Sequence, residues 1–311
     1  MANQSGQSAS GIVQNSNGGE LQDEPDDYHT DYLSGVSHSM LNTFRQSVGD
    51  FHNKYVLGKW DNKRVKAFDF GSAFHAWILE RDLFWEKVAL QPCHNKVGAK
   101  NKAAWEEFSI QEKKKAWISV SEMEQIKEME AAVLEDSEAS KWAVHLAGIN
   151  EKMVAWKGTK ESMGVACSVK CKPDRYLPDE MTGLATDVVV DLKTTGDVSA
   201  DAVAKSAASF NYHCQAALYC SGVEAINDGV TCRHISVFVS KNPPYEVASV
   251  EYSPEALEVG RAMNRKTLIE LADCMAYKQF SGRMGNKLTT LDLPQWYYRK
   301  WQAENEVPNT A

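Results

Sequence analysis

The chain has 311 residues, of which 43% are hydrophobic and 24% charged, and this composition predicts one soluble globular domain or at most two. Acidic residues outnumber basic residues by 42 to 34, and the formal charge of −8 excludes a protein that coats nucleic acid through bulk positive charge. No apolar stretch approaches the roughly 20 residues that span a bilayer, and seven scattered cysteines do not resemble a disulfide framework. We therefore expect a cytoplasmic protein with reduced thiols and no membrane partner.

The N-terminal part of the chain differs in composition from the rest. Residues 1–19 are rich in Ser, Gly, Asn and Gln and contain neither the basic nor the apolar segment of a secretory signal. The first 50 residues hold seven acidic residues and one basic residue, which leaves the remainder nearly neutral. Large apolar side chains are too few up to residue 30 to offset the entropy of ordering. We expect a disordered acidic tail over residues 1–30 and a single domain over residues 31–311.

The first helices are indicated by capping residues and apolar faces. Ser37 or Ser39 is a candidate N-cap for a helix whose apolar face includes Phe44. A second helix is expected over Ala67–Glu80, where large apolar side chains share one face. The elements expected after it are a strand over Glu86–Gln91 and a long acidic helix over Ser121–Lys141.

The second half of the chain contains strand-like and helix-like segments with no repeat or linker between them. Ser253 is a good N-cap because Pro254 follows at the first helical position, and this last large helix is expected to run towards Tyr277. A shorter helix is expected around Tyr212–Ser221. The strands expected here are Glu151–Trp156, Gly164–Tyr176, Thr186–Thr194, His234–Ser240 and Tyr245–Val250.

Two acidic residues and a lysine stand at the ends of strand-like segments. Asp174 follows a proline at the end of one segment, and the apolar run Val188–Val190 leads into Asp191 and Lys193. Side chains alternate faces along a strand, so Asp191 and Lys193 point to the same side while Leu192 faces the core. Two carboxylates can hold a hard cation such as Mg²⁺, and a nearby ammonium group can position a water and offset negative charge on a phosphodiester. An Asp-x-Lys sequence by itself is typical of a solvated face, but the Pro-Asp pair 17 residues earlier favours a metal site.

The helix that follows this segment carries a polar pair. Gln215 and Tyr219 are four residues apart, so they lie on one helical face. An amide and a phenol at this spacing can hold a phosphate or a catalytic residue. The same spacing is also common in polar surface stripes.

Together these segments resemble the nuclease core of the RecB-type PD-(D/E)XK enzymes, and within them the RecE-type exonucleases of phages and prophages (exodeoxyribonuclease VIII). The resemblance spans about residues 36–300 and implies an α/β, restriction-endonuclease-like core with a mixed central β-sheet flanked by helices. It rests on Gly71–His75, Cys171–Arg175, Val190–Thr195, Tyr212–Gly222 and Leu291–Trp296.

The resemblance implies a metal site and a catalytic lysine. Asp174 and Asp191 are expected to bind the ion, with the carbonyl of Leu192 as a backbone ligand. His75 is expected to complete the metal shell or to contact the scissile phosphate. Without the other motifs, a histidine in an aromatic helix would be read as a core residue. Lys193 is expected to orient the attacking water.

Three further residues receive roles from the same resemblance. Glu151 fits the family's additional acid near a second metal, although Glu161 is close in sequence and stays an alternative. Gln215 and Tyr219 are expected to bind DNA or to buttress Lys193.

The resemblance also implies an activity and partners. We expect a Mg²⁺-dependent exodeoxyribonuclease, with Mn²⁺ as a substitute ion, that digests the 5′-ended strand of linear double-stranded DNA and leaves 3′ single-stranded tails for annealing recombination. The expected partners are double-stranded DNA ends, further copies of the chain in a closed ring, and a RecT-type single-strand annealing protein in a bacterial cytoplasm. Two alternatives stay open: a structure-selective or single-strand DNA endonuclease of the same fold, and a non-catalytic DNA-end-binding protein.

Two other features are less specific. The lysine-rich segment 95–118 interleaves lysines with Trp105, Phe108 and Trp117, and it could contact DNA or form a solvated face. Cys167 and Cys171 are four residues apart, but no second close pair completes a metal-binding set. Some RecB-type nucleases hold an iron–sulfur cluster through a tight C-terminal group of cysteines, whereas Cys232 and Cys274 stand alone here, so we expect no cluster.

Overall fold

The structure, a computed structural model, describes residues 20–22, 34–59, 64–93, 95, 97–227, 230–282, 285 and 288–305. The strands in these ranges are Glu20–Gln22 (β1), Val88–Leu90 (β2), Ala116–Ile118 (β3), Ile149–Asn150 (β4), Met153–Gly158 (β5), Cys167–Cys171 (β6), Arg175–Leu177 (β7), Asp187–Thr195 (β8), Cys232–Ser240 (β9) and Val247–Glu251 (β10).

The helices surround these strands, and π-helical segments at His52–Val56 and Lys141–His145 continue two of the short ones. None of the described helices is both long and apolar enough to cross a membrane. The helices are His38–Gln46 (α1), Val48–Phe51 (α2), Lys66–Leu79 (α3), Phe84–Lys87 (α4), Ala99–Gln111 (α5), Val120–Glu135 (α6), Ser137–Ser140 (α7), Lys160–Met163 (α8), Asp179–Thr182 (α9), Ala200–Ser209 (α10), Tyr212–Ile226 (α11), Pro254–Tyr277 (α12) and Gln295–Asn305 (α13).

The central sheet is mixed and has the strand order β10-β9-β8-β7-β4. β8 and β9 run parallel along their full lengths, and the other neighbours are antiparallel. The sheet is covered on both faces: Val190 packs with Phe74 of α3 in one apolar cluster, and Val189 packs with Leu218 of α11 in another. Burial on both faces explains the continuous apolar run in β8. The expected α/β fold with a mixed sheet flanked by helices is confirmed.

A second sheet, of order β1-β5-β6, continues β4 and β7 of the first. β4 and β5 are separated by two residues, and their partners β7 and β6 are separated by Lys172–Asp174. The single strand expected over Gly164–Tyr176 is therefore wrong. Pro173 has no N–H to donate to a ladder, so the strand ends before it and a new strand begins at Arg175.

Helix caps were the most reliable local signals in the sequence. Ser37 accepts a hydrogen bond from the N–H of Met40 at the start of α1, and Ser253 caps α12 in the same way. The acidic helix expected to reach Lys141 instead ends at Glu135, because the Asp136 side chain accepts the N–H of Ala139 and starts α7.

Two smaller expectations also changed. The strand expected over Glu86–Gln91 covers only Val88–Leu90, because the residues before it close α4. The lysine-rich segment 95–118 contains a helix, α5, that the sequence analysis did not predict.

Within the segment expected to be disordered, the structure describes one short strand, β1, and the expected tail over residues 1–30 stays a prediction. Leu21 pairs with Val154 of β5 and packs against the apolar cluster beneath it, so one apolar side chain in the acidic segment is enough to anchor a short edge strand. The rest of the expected tail lies outside the described residues, and the domain boundary at residue 31 stays a prediction.

Candidate active site

The site forms at two interruptions that lie opposite each other, one between β4 and β5 and the other between β6 and β7. Glu151 lies between β4 and β5 and has a φ of 55°, in the left-handed region that residues other than glycine seldom adopt. Its N–H donates to the carbonyl of Asp174 at 3.0 Å, which ties the two interruptions together. The strained backbone at this point is typical of a functional position held by its surroundings.

Asp174 is buried and its two carboxylate oxygens have different partners. Oδ2 accepts the N–H of Leu192 at 2.6 Å, which connects the interruption to β8. Oδ1 lies 3.3 Å from Nδ1 of His75, which α3 brings to the edge of the sheet. Burial raises the pKa of Asp174, but the facing imidazolium of His75, Lys193 and the Leu192 N–H lower it to about 2. For His75, burial opposes the charge, yet Asp174 and Glu151 raise the pKa to about 9.

These side chains form a candidate site for a divalent metal ion. A nitrogen of His75 and carboxylate oxygens of Glu151 and Asp174 all lie within 4.8 Å of one another. Carboxylate and imidazole groups are ordinary ligands for divalent cations, so the donor set fits such an ion. An open cleft of about 330 Å³ leads to this group and is lined by Ser72, His75, Ala76, Glu80, Lys87, Glu151, Lys172 and Asp174.

Asp191 and Lys193 lie beside this group on β8. They point to the same side of the strand, as the alternation predicted, and the Lys193 Nζ contacts Oδ2 of Asp191. Burial and the neighbouring charge of Asp174 raise the pKa of Asp191 to about 6, although Lys193 opposes the shift. Burial lowers the pKa of Lys193, and the two carboxylates outweigh it and raise that pKa. The ammonium group is therefore charged at neutral pH.

The structure brings most of the predicted site residues together. Asp191 is not one of the three residues whose ligand atoms cluster; it is paired with Lys193, and its role as a metal ligand stays a prediction. Leu192 reaches Asp174 through its N–H, and ligation through its carbonyl also stays a prediction. Of the two candidate additional acids, Glu151 lies in the site, whereas Glu161 is exposed in α8.

The polar pair on α11 lies beneath the surface. Nε2 of Gln215 donates to the phenol of Tyr219 at 2.9 Å. The Tyr219 ring is only 8% exposed and belongs to the apolar cluster on that face of the sheet. A buried phenol has little surface to offer DNA, and both expected roles of Tyr219 stay predictions. Gln215 is half-buried, and its contact with DNA stays a prediction.

Two residues of the site were not assigned roles from the sequence. Nζ of Lys172 lies 2.5 Å from Oε2 of Glu151, and Nζ of Lys193 lies 4.9 Å from the centre of the Tyr212 ring. Both residues fall inside the segments that carry the family resemblance. Their contacts join residues from different strands and helices, so spacing along the chain gave no signal for them.

None of the described residues of the lysine-rich segment lines this site. Trp105, Phe108 and Trp117 pack against one another, with ring centres 5.0 to 6.3 Å apart, and Arg64 lies over the Trp117 ring at 3.7 Å. All three rings are half-buried, so they have little free surface on which a base could stack. A contact of the surrounding lysines with DNA stays a prediction.

The fold and the site together place the protein in the PD-(D/E)XK nuclease superfamily. The chain belongs to the family described as a PDDEXK-like domain of unknown function, which matches residues 37–288. The crystal structure of the "Putative exonuclease" from Eubacterium rectale is similar, with 14% sequence identity and a TM-score of 0.58 over 89% of this chain and 98% of that chain. At this identity the likeness shows the fold alone. No curated protein sequence matches the chain. The expected superfamily is confirmed, and the closer resemblance to the RecE type stays a prediction.

Proposed function

We propose that the protein is a divalent-metal-dependent deoxyribonuclease that hydrolyses phosphodiesters at the ends of linear duplex DNA. The observation that carries this proposal is the meeting of three ligand atoms, from His75, Glu151 and Asp174, within 4.8 Å. The charged pair Asp191 and Lys193 lies next to them on β8. A structural ion-pair network alone does not require a strained Glu151 backbone at the mouth of an open cleft.

The proposed metal ion is Mg²⁺, and Mn²⁺ is expected to substitute for it. His75, Glu151 and Asp174 would hold it, and the resemblance adds Asp191 and the Leu192 carbonyl. When bound, such an ion supplies Lewis-acid polarisation of a phosphoryl oxygen and lowers the pKa of water.

The chain's own residues account for orientation and charge. Lys193 keeps its proton because two carboxylates raise its pKa, so its ammonium group can donate a hydrogen bond to the attacking water and offset charge growing on the phosphate. Asp191 holds that ammonium group in place. Lys172 lines the cleft beside Glu151, where a second positive charge faces an incoming phosphate.

The finer details of the proposal rest on the family resemblance. They are digestion of the 5′-ended strand, 3′ single-stranded tails, a closed ring of subunits around DNA, and cooperation with a RecT-type annealing protein in the bacterial cytoplasm. A closed ring around DNA would act as a topological tether. It would keep the enzyme on DNA although the formal charge of the chain is −8.

The test uses linear duplex DNA labelled separately at each 5′ and each 3′ end, together with a covalently closed circle, in Mg²⁺ or in EDTA. We expect nucleotides to be released from the linear DNA only with Mg²⁺, and the circle to stay intact. Asp191→Ala should abolish release without unfolding the protein, whereas Asp201→Ala, an exposed aspartate in α10, should not change it.

Three other outcomes would contradict the proposal in different ways. Cutting of the closed circle would show an endonuclease. Binding of DNA ends with no hydrolysis in Mg²⁺ or Mn²⁺ would show a non-catalytic end-binding protein. Digestion by Asp191→Ala at near the wild-type rate would show that the site is assigned to the wrong residues.

A further inference from the structure

A row of three aromatic rings runs from the core to the surface beside Lys193. Phe238 of β9 is buried, and its ring centre lies 6.2 Å from that of Tyr212, the first residue of α11. Tyr212 lies 5.5 Å from Phe210, with an angle of 28° between the ring planes. Phe210 is 56% exposed. The Lys193 ammonium lies over the middle ring, so the outer ring is no more than two ring spacings from the lysine.

The position of the outer ring is set by an ordered turn. Phe210 closes α10, and its N–H donates to the carbonyl of Ser206 at 2.9 Å. The next residue, Asn211, has a φ of 57°, in the left-handed region. Its side-chain Nδ2 donates to Oδ1 of Asn42 at 2.7 Å, and its carbonyl accepts two N–H groups from the first turn of α11. The turn that presents Phe210 is thus held by several hydrogen bonds in spite of the positive φ at Asn211.

The ring of Phe210 offers a flat apolar face where nothing in the fold requires one. One face of the ring stacks on Tyr212 with an angle of 28° between the planes, and more than half of the residue is exposed to solvent. Nucleobases stack on exposed aromatic faces whatever their identity, since every base has a π-face. The phosphates attached to such a base would lie near the Lys193 side of the row.

We propose that Phe210 is a substrate-binding residue on which the unpaired base next to the scissile phosphate stacks. The inference rests on the proposed nuclease function and deepens it: the strand that enters the site is frayed from its partner. Stacking stabilises the separated end, because the energy of the lost base stack is replaced by contact with Phe210. The expected contribution is about tenfold in rate, or ~1.4 kcal/mol.

The experiment combines a protein variant with a missing base. Digestion of duplex ends by wild type and Phe210→Ala is measured with normal DNA and with an abasic nucleotide placed in turn at each of the first positions. We expect Phe210→Ala to slow digestion of normal DNA about tenfold, and one abasic position to slow the wild type equally. The two changes together should slow it no further, because they remove the same contact.

Two variants separate stacking from a structural role. Phe210→Trp, which keeps a flat ring, should retain the wild-type rate and its sensitivity to the abasic position. Tyr277→Ala removes a 72% exposed ring at the end of α12 and should leave both unchanged. Thermal unfolding of Phe210→Ala should match that of the wild type.

The results also separate this inference from the proposed function. One contrary result is that the wild type digests DNA while the abasic position and Phe210→Ala slow digestion by independent factors; another is that Phe210→Ala has no effect. In either case the stacking role is wrong and the proposed nuclease function stands. If wild type digests no DNA at all, both proposals fail.

Discussion

At the scale of single residues, every carboxylate of the site has a cationic partner. His75 faces Asp174, Lys172 faces Glu151 and Lys193 faces Asp191. Buried charges are tolerated when they are paired in this way, and removing one partner leaves the other uncompensated. The lysines therefore do more than line the cleft, because each offsets the negative charge that its paired carboxylate presents to a metal ion or a phosphate.

The pairing gives different roles to Lys193 and Asp174, which mutation can separate. Lys193→Ala should slow DNA hydrolysis about 100-fold or more, because the positive charge that offsets the developing negative charge is lost. Metal binding should be spared, since Lys193 offers no ligand. Single-turnover rates and calorimetric titration with Mn²⁺ measure the two effects. Asp174→Ala is the comparison, and a loss of Mn²⁺ affinity in Lys193→Ala as large as in Asp174→Ala would contradict this division of roles.

A buried histidine on the next strand predicts a pH effect on stability. His234 is 2% exposed, and neither ring nitrogen has a hydrogen-bond partner among the described residues. Burial, with the nearby charge of Lys193, lowers its pKa to about 3. The unfolded chain binds a proton below about pH 6.5 and the folded chain does not, so stability present above pH 6.5 is lost as the pH falls towards 3.

The variant His234→Phe keeps a ring between Tyr219 and Tyr252 and removes this titration. When the pH is lowered from 7.5 to 5, the wild type should lose about 2 kcal/mol more of its free energy of unfolding than the variant loses. Urea unfolding of both proteins in a chelator measures the difference. An equal change of stability in the two proteins over this range would show that His234 is not buried in its neutral form.

At the scale of secondary-structure elements, the site depends on a pair of interrupted strands. Glu151 separates β4 from β5 at the same level at which Asp174 separates β6 from β7. The register of β4 and β7, with Asn150 opposite Arg175, places Glu151 opposite Asp174, and both carboxylates enter one cleft. The positive φ of Glu151 is part of how the cleft is built.

This strain predicts an inverted order of stability at position 151. Glycine adopts a positive φ without a steric penalty, so Glu151→Gly should be about 1 kcal/mol more stable than Glu151→Ala. In an ordinary strand the glycine variant would be the less stable one. Both variants lose the carboxylate, so the comparison isolates the backbone, and chemical denaturation of the pair measures it. A glycine variant less stable than the alanine variant would mean that residue 151 is not held in the left-handed region.

At the scale of the whole molecule, the negative net charge opposes the proposed binding to DNA. The formal charge is −8, while the positive side chains of the site are largely neutralised by their own acids. Attraction between the chain and DNA phosphates is therefore weak over most of the surface. Long stays on DNA need another source, and the proposed ring supplies it as a topological tether.

The tether predicts a particular dependence on salt. In sedimentation experiments the protein should form a closed oligomer of several chains. Raising the salt concentration should slow the first capture of a DNA end, but it should hardly shorten the length digested after capture. Digestion of end-labelled DNA, with competitor DNA added after the start, measures that length. A monomer whose digested length falls steeply with salt would exclude the ring.

Local signals in the sequence predicted the elements that carry the site. The cap at Ser253, the apolar run before Asp191 and the two-residue alternation in β8 depend on neighbouring residues, so they can be read directly. The proline that ended a strand was also visible, although its effect on the expected Gly164–Tyr176 strand was missed. The short apolar anchor at Leu21 was hidden within an acidic segment.

By itself the sequence predicted the fold class, through the family resemblance, and several of the main helices and strands; the roles of the acids and the lysine stay predictions. Only the tertiary structure decided their partners: Lys172 for Glu151, the Leu192 N–H for Asp174, and a ring from α11 beneath Lys193. The reason is physical. Periodicity and capping act over a few residues, whereas these contacts join distant segments whose distances are fixed by how helices pack on the two faces of the sheet.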